Sequence, residues 1–388
     1  MDMKNRLILL AALMVVCACS SSKSALNTVP AAKDVPVSGQ VAPAAQFAFV
    51  GVECDIENVG TRKFLEEVDY SSDPDYTLSF AREYKSEYGA NDKPLPVRIT
   101  WSGGPVAKLL LSSSPQFDDA REVQVEASQA VIYNLIPGVR YYFRIQDAGG
   151  NVLKSDSFVP EGPMRMINGV VGNMRDLGGW EAEGGHIAYG KLYRGSALER
   201  ISESGKKIFL EDLGISVDLD LRGYKESEYH LGAVIDGIDY LKLPLEKNLG
   251  RGTGRTEELY QQALRAIIGW LGEGRSVYFH CAGGADRTGS LAFLIEALLG
   301  VSESDLSKDY ELTTFGRSNT RLRNFRATEQ ETHILYELVT YLRTFGDPAD
   351  TSINELVLRW VTTRHSPTVD PITPSEIALL RQYLIVRD

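Results

Sequence analysis

Residues 275–300, RSVYFHCAGGADRTGSLAFLIEALLG, read as three consecutive pieces: a short apolar strand ending at His280, a glycine-bearing loop, and a nearly all-apolar helix closed by Gly300. A loop that leaves a parallel strand and enters a helix points its amides, and the positive end of the helix dipole, at one spot. Gly283 and Gly284 tolerate the dihedrals that such a tight curl demands. Arg287, at the helix start, adds a planar fork suited to two oxygens of an anion. Ala282, Gly283, Gly284, Ala285, Asp286 and Arg287 together are expected to bind a dianion such as phosphate.

Cys281 lies at the floor of that nest. A cysteine thiol ordinarily titrates near 8.5, and beside cations or a helix N-terminus it falls to roughly 3.5–7.5, so Cys281 is expected to be largely thiolate at neutral pH. A strong nucleophile beside a bound phosphoryl group predicts in-line attack on phosphorus and a phosphocysteine intermediate that water then hydrolyses. The loop amides and Arg287 would hold the equatorial oxygens through both steps. This chemistry needs no metal and no cofactor.

Working outward, LGISVDLDLR (213–222) alternates Ile215, Val217, Leu219 and Leu221 with polar partners, the pattern of a half-buried strand. TEELYQQALRAIIGWL (256–271) places Leu259, Ala263, Leu264, Ile267, Ile268 and Leu271 on one helical face. Ser302 with Asp305, and Thr373 with Pro374 and Glu376, are start signals for two later helices. Strands alternating with helices over 161–388 predict an α/β domain, a mainly parallel sheet flanked by helices. Residues 46–160 differ: VRITW (97–101), AKLLLSS (107–113), EVQVEA (122–127), AVIYNL (130–135) and RYYFRIQD (140–147) are short β-rich runs separated by turn residues. They predict a small all-β sandwich, whereas residues 60–92 match no strand template.

The arrangement Cys-x5-Arg, preceded by His280 and followed by Thr288, resembles the signature of the cysteine-dependent protein tyrosine phosphatase superfamily. GNMRDLGGW (172–180), GKLYRGSAL (190–198), LGISVDLDLRGYKESE (213–228) and DYELTTF (309–315) narrow the resemblance to the bacterial tyrosine/serine phosphatase group, related to atypical dual-specificity and lipid phosphatases. The resemblance implies Cys281 as nucleophile, Arg287 as phosphate clamp, His280 as support for loop and thiolate, and Thr288 as a hydroxyl assisting thiolate departure. Many relatives carry lysine at the position of Ala285, a charge associated with phosphoinositide substrates, and its absence weakens a lipid-phosphatase assignment. NLIPGVRYYFRIQDAGGNVLKSDSF, in turn, is similar to the late part of a fibronectin type III domain.

The leaving oxygen needs a general acid, and Asp176, Asp218, Asp220 and Asp286 are the carboxylates these motifs offer. Asp286 is favoured, with capping of the helix through the Thr288 or Gly289 amides as its alternative role. Asp176 can as well brace an arginine, Asp220 ends a strand beside Arg222, whose other partner would be Glu226, and Asp218 is expected to be structural. His186, His230, His333 and His365 show no ligand spacing, and the basic stretch RSNTRLRNFR (317–326) reads first as a solvated face.

The 388 residues carry a formal charge of −11, with 43% hydrophobic and 24% charged residues. That balance fits globular material and argues against a nucleic-acid partner, which would demand a basic surface. Lys4 and Arg6 precede an apolar run from Leu7 to Val16, too short to span a bilayer as a mature helix, so residues 1–18 read as an export signal. Val16-Cys17-Ala18-Cys19 resembles a bacterial lipobox, implying acylation of Cys19, with an ordinary signal peptide as the alternative. Residues 19–45 follow as a Pro/Ala/Ser tether, and Cys54 and Cys281 are left as free thiols. The expected protein is an exported bacterial lipoprotein of the periplasm or outer membrane, anchored by lipid. It would hydrolyse phosphomonoesters, with a phosphorylated protein or small phosphomonoester as its partner. Inositol phosphates or phosphoinositides are the alternative substrates, and a non-catalytic phospho-ligand binder is the alternative class.

Overall fold

Alternation settles the first strands, since every second residue of a strand faces the same side. Among the described residues between 46 and 160 lie eight strands: β1 (Ala48–Glu53), β2 (Val97–Ser102), β3 (Val106–Ser112), β4 (Arg121–Val123), β5 (Val125–Glu126), β6 (Gln129–Ile132), β7 (Tyr141–Asp147) and β8 (Val152–Phe158). They form two four-stranded antiparallel sheets in the orders β1-β2-β6-β5 and β4-β3-β7-β8. Ile99 and Trp101 from one sheet and Leu111, Phe143 and Ile145 from the other share a single apolar core. The computed structural model describes residues 46–66, 80–224, 233–252, 254–316, 334–347 and 351–387. The export signal, Cys19, the tether 19–45, the stretch 317–326, Glu226, His230 and His333 lie outside the described residues.

Between β1 and β2 the chain leaves that core. Asn58 accepts from the amides of Gly60 and Thr61 and so starts α1 (Val59–Leu65), and α2 (Phe80–Glu87) follows. Phe64, Leu65, Ala81 and Ala90 are buried in the core of the α/β part. Phe64 meets Phe315 edge-on with ring centroids 5.1 Å apart, and the Lys308 ammonium donates to the Leu65 carbonyl at 3.0 Å. Lys85 donates to the carbonyls of Thr314 and Gly316 at 2.7 and 2.8 Å. A self-contained all-β unit over 46–160 is therefore not what forms: α1 and α2, whose sequence matched no strand template, supply a helical flank to the second core.

The α/β part contains β9 (Arg175–Asp176), β10 (Glu181–Ala182), β11 (Gly185–Ile187), β12 (Leu192–Gly195), β13 (Ile215–Arg222), β14 (Asp239–Leu245), β15 (Ser276–His280) and β16 (Ile385–Val386). Its helices are α3 (Glu203–Lys207), α4 (Gly254–Gly272), α5 (Asp286–Leu298), α6 (Glu303–Leu312), α7 (Ile334–Leu342), α8 (Ile353–Val361) and α9 (Pro374–Leu384). The central sheet runs β14-β13-β15-β12-β9, parallel throughout except for the antiparallel edge strand β9. Strands β10, β11 and β16 form a separate small sheet. Ala44–Asp388 make one compact unit.

Local signals hold where the sequence placed them. Ser302 caps α6 by accepting from the Asp305 amide, and Thr373 and Glu376 form a reciprocal capping box on α9. The apolar face of α4 is buried along Leu259, Ala263, Leu264, Ile267, Ile268 and Leu271. One expectation changes: β13 is not half-buried, because both its apolar and its acidic residues are inside. It is a central strand of a covered sheet, and its polar positions face ionic partners instead of water.

Candidate active site

β15 lies between β13 and β12 in the parallel part of the sheet, and Cys281 is the first residue beyond its carboxyl end, where open α/β sheets gather their ligands. The loop then closes onto α5 at Asp286. Of the two glycines only Gly284 adopts a left-handed φ, of 64°, and a Cβ added there would overlap the Gly195 carbonyl. Glycine is thus required at 284 for both dihedral and space.

Side chains from distant motifs hold the loop from behind. Asn173 Nδ2 donates to the carbonyls of Gly283 and Gly284 at 3.1 and 3.0 Å, and Arg194 Nη2 donates to the carbonyls of Gly284 and Ala285 at 3.0 and 3.3 Å. Arg175 Nη1 fixes Asn173 by donating to its Oδ1 at 2.8 Å. Asp309 ties the layer together: one carboxylate oxygen accepts from Arg175 Nε at 2.8 Å and the other from Arg194 Nη1. Burial opposes the Asp309 charge, yet the two guanidinium groups hold its carboxyl below the ordinary range. The carbonyls of 283–285 are thus engaged by this layer, while the amides of Ala285 and Thr288 are turned to the Cys281 sulfur.

Cys281 is 3% exposed. Burial works to raise its thiol pKa, but Arg287, Thr288 and the amides of Thr288 and Ala285 outweigh it and lower the value, so the thiolate is favoured. The Thr288 hydroxyl is buried and turned toward Cys281, where its hydrogen bond contributes to that shift. Arg287 Nη1 donates to the Leu245 carbonyl at the end of β14 at 3.1 Å. His280 forms an ion pair with Asp218, Nε2 to Oδ1 3.0 Å, and its Nδ1 lies 3.1 Å from the Cys281 carbonyl oxygen. Burial would lower the His280 pKa, but the Asp218 charge wins and raises it to about 9, leaving a cation behind the thiolate.

The candidate acids separate cleanly. Asp286 is the first residue of α5, not its cap, and its Oδ1 accepts from Tyr310 Oη at 2.9 Å. Asp176 is fully buried, pairs with Arg165 at 3.1 Å and accepts from the amides of Gly178 and Gly190, so it braces a turn. Asp220 accepts from Arg222 Nε, Arg222 Nη2 and Tyr240 Oη, each at 2.9 Å, and from Lys242 at 3.2 Å. Burial works to raise its pKa, but Arg222 and the His280 charge push it well below the carboxylate range, the wrong direction for a proton donor. Arg222 is paired with Asp220 and Glu199. Asn173, Arg194 and Asp309 were legible only as members of motifs, with no role attached, and Arg175, the neighbour expected to brace Asp176, pairs with Asp309 while Arg165 takes Asp176.

A cavity of about 690 Å³ adjoins the loop at Ala282 and Gly283. Residues 167–365 match the family model described as tyrosine phosphatase family, which is just over half of the chain. The chain belongs to the tyrosine phosphatase family. A candidate tyrosine-protein phosphatase of Cupriavidus necator is 26% identical, over 41% of this chain and 64% of its own length. The chain thus spans less than two thirds of that family member. The triple specificity protein phosphatase PtpB of Mycobacterium tuberculosis is also 26% identical, over 40% of this chain and 72% of its own. Among solved structures, the catalytic core of the Saccharomyces cerevisiae PP-IP phosphatase SIW14 aligns with a TM-score of 0.27 and 20% identity, covering 34% of this chain and 76% of that one.

Proposed function

We propose that the chain is a phosphomonoester hydrolase working through a phosphocysteine intermediate, with phosphotyrosine in proteins as its main substrate. The observation that carries this is the Cys281 thiol, favoured as thiolate beneath Arg287 in a loop whose carbonyls are tied away from the pocket. Sγ of Cys281 attacks phosphorus in line, and the bond from phosphorus to the leaving oxygen breaks as Asp286 gives that oxygen its proton. Water then attacks phosphorus, the Asp286 carboxylate takes its proton, and the S–P bond breaks to release phosphate and the thiolate, which Thr288 meets with its hydroxyl. The loop amides and Arg287 hold the equatorial oxygens in both transition states.

Position supports Asp286 over the other carboxylates: Asp176 and Asp220 are locked in braces, whereas Asp286 opens α5 next to Arg287. Cys281→Ser should lower turnover of an aryl phosphate by on the order of 10³-fold or more. Full activity in that variant would overturn the phosphocysteine route.

We read the strands of 48–158 as a fibronectin type III-like docking module. The order β4-β3-β7-β8 opposite β1-β2-β6-β5 supports a sandwich of this kind, as does Tyr141, whose hydroxyl accepts from the Ile136 main-chain N–H at 3.2 Å in the manner of a tyrosine corner. Export and acylation at Cys19 remain part of the proposal and rest on the sequence of residues 1–19. Globomycin-sensitive processing and a Cys19→Ala variant released from membranes are the expected results.

A further inference from the structure

We infer that the cavity beside the catalytic loop is a subsite for a substrate carboxylate, recognised by Lys93 and Arg200. The inference rests on the phosphotyrosine reading above and concerns the part of the substrate that the phosphate loop does not touch.

The cavity meets the loop at Ala282 and Gly283, the two residues that follow Cys281, and we assign it to the organic portion of a substrate whose phosphate sits over Cys281. Polar and apolar surface share its walls, with Ile167, Val170, Val171 and Phe315 supplying much of the apolar part. Two acids line it and both are engaged: Asp92 Oδ2 accepts from the Asn173 amide at 3.3 Å, and Glu199 is paired with Arg222. Two cations line it, Lys93 and Arg200, both exposed, and neither is ion-paired among the described residues. The surface therefore offers net positive charge over a partly apolar wall.

Lys93 is held in place, although it comes from outside the family match. Its amide donates to Asn91 Oδ1 at 3.0 Å, and the Asn91 carbonyl accepts from the Thr61 hydroxyl of α1 at 2.9 Å. The contact of Asp92 with the Asn173 main-chain N–H joins the same turn to the residue whose side chain braces the loop. The segment interposed between β1 and β2 thus delivers a cation to the rim of the catalytic pocket.

Two exposed cations above partly apolar walls suit a ligand with one further negative charge on a mainly apolar body. A phosphotyrosine peptide with Asp or Glu close to the phosphotyrosine has that character. An inositol polyphosphate, with several anions and no apolar body, does not.

The test measures kcat and KM of the full chain on four substrates: p-nitrophenyl phosphate, a phosphotyrosine peptide flanked by Glu, the same peptide flanked by Gln, and inositol hexakisphosphate. The wild type should prefer the acidic peptide through KM by roughly three- to tenfold, the scale of two partly solvated ion pairs. Lys93→Ala with Arg200→Ala should erase that preference and leave p-nitrophenyl phosphate turnover unchanged, which also shows that the variant is folded. Lys93→Arg should retain the preference. Equal KM for the two peptides in the wild type, or a preference that survives the double substitution, would overturn the subsite while the phosphatase reading stands. Faster cleavage of inositol hexakisphosphate with a KM dependent on Lys93 and Arg200 would overturn the peptide assignment. Absence of turnover on every substrate would overturn the phosphatase reading, and the subsite with it.

Discussion

At the scale of single residues, the chemistry turns on opposing effects at buried groups. Cys281 is buried, which penalises its thiolate, and it is favoured as thiolate only because Arg287, Thr288 and the loop amides act together. Activity on an aryl phosphate should therefore fall as pH drops through the depressed thiol pKa, and Arg287→Lys should move that limb upward as well as weaken substrate binding. Asp286→Asn should cost on the order of 10²–10⁴ in kcat with a poor leaving group and much less with p-nitrophenol, which departs without a proton. An equal loss on both would reassign Asp286 to loop support. His280 gives a separate pH effect. Its folded pKa, about 9, lies above the ordinary histidine value, so its stabilising charge is fully present below about pH 6.5 and is lost as pH rises through 9. Denaturant titrations between pH 6.5 and 10 should show a loss of about 3 kcal/mol in the wild type, as an upper figure, and a much flatter profile in Asp218→Asn.

At the scale of elements, the strand, loop and helix around Cys281 were readable because each depends on neighbours in sequence: apolar run, glycine, arginine, apolar run. The layer behind the loop was not readable, since Asn173 meets Gly283 across 110 residues and Arg194 meets Asp309 across 115. Periodicity carries no information about such pairs. The motifs around them were visible, their partners were not. Alternation in β13 misled for a related reason: Asp218 and Asp220 look like solvent-facing positions until His280 and Arg222 are seen opposite them. The bracing layer yields its own prediction. Asn173→Ala removes the donor to two loop carbonyls and replaces a residue at φ 56°, a dihedral that asparagine tolerates better than alanine. It should lower kcat/KM by about ten- to a hundredfold and weaken vanadate inhibition, with the far-ultraviolet circular dichroism spectrum unchanged.

At the scale of the whole molecule, the two cores are joined by the segment that runs between β1 and β2. Phe64 is fully buried against Phe315, so Phe64→Ala should cost about 3–5 kcal/mol and lower the unfolding midpoint of the phosphatase activity itself. An unchanged midpoint for activity would separate that segment from the second core. The boundary at 160 was drawn from a change of texture, strands giving way to alternating strands and helices, and texture follows the chain in order. It has no means of showing that Phe64, Leu65, Ala81 and Ala90 are packed with the later part. The family match begins at residue 167, yet part of the rim that faces substrate is encoded before it. Relatives that share the catalytic loop and lack such a segment would keep the reaction and present a different mouth to their substrates. Exchanging the stretch between β1 and β2 would then alter what a substrate meets at the rim while the loop of Cys281 stays as it is.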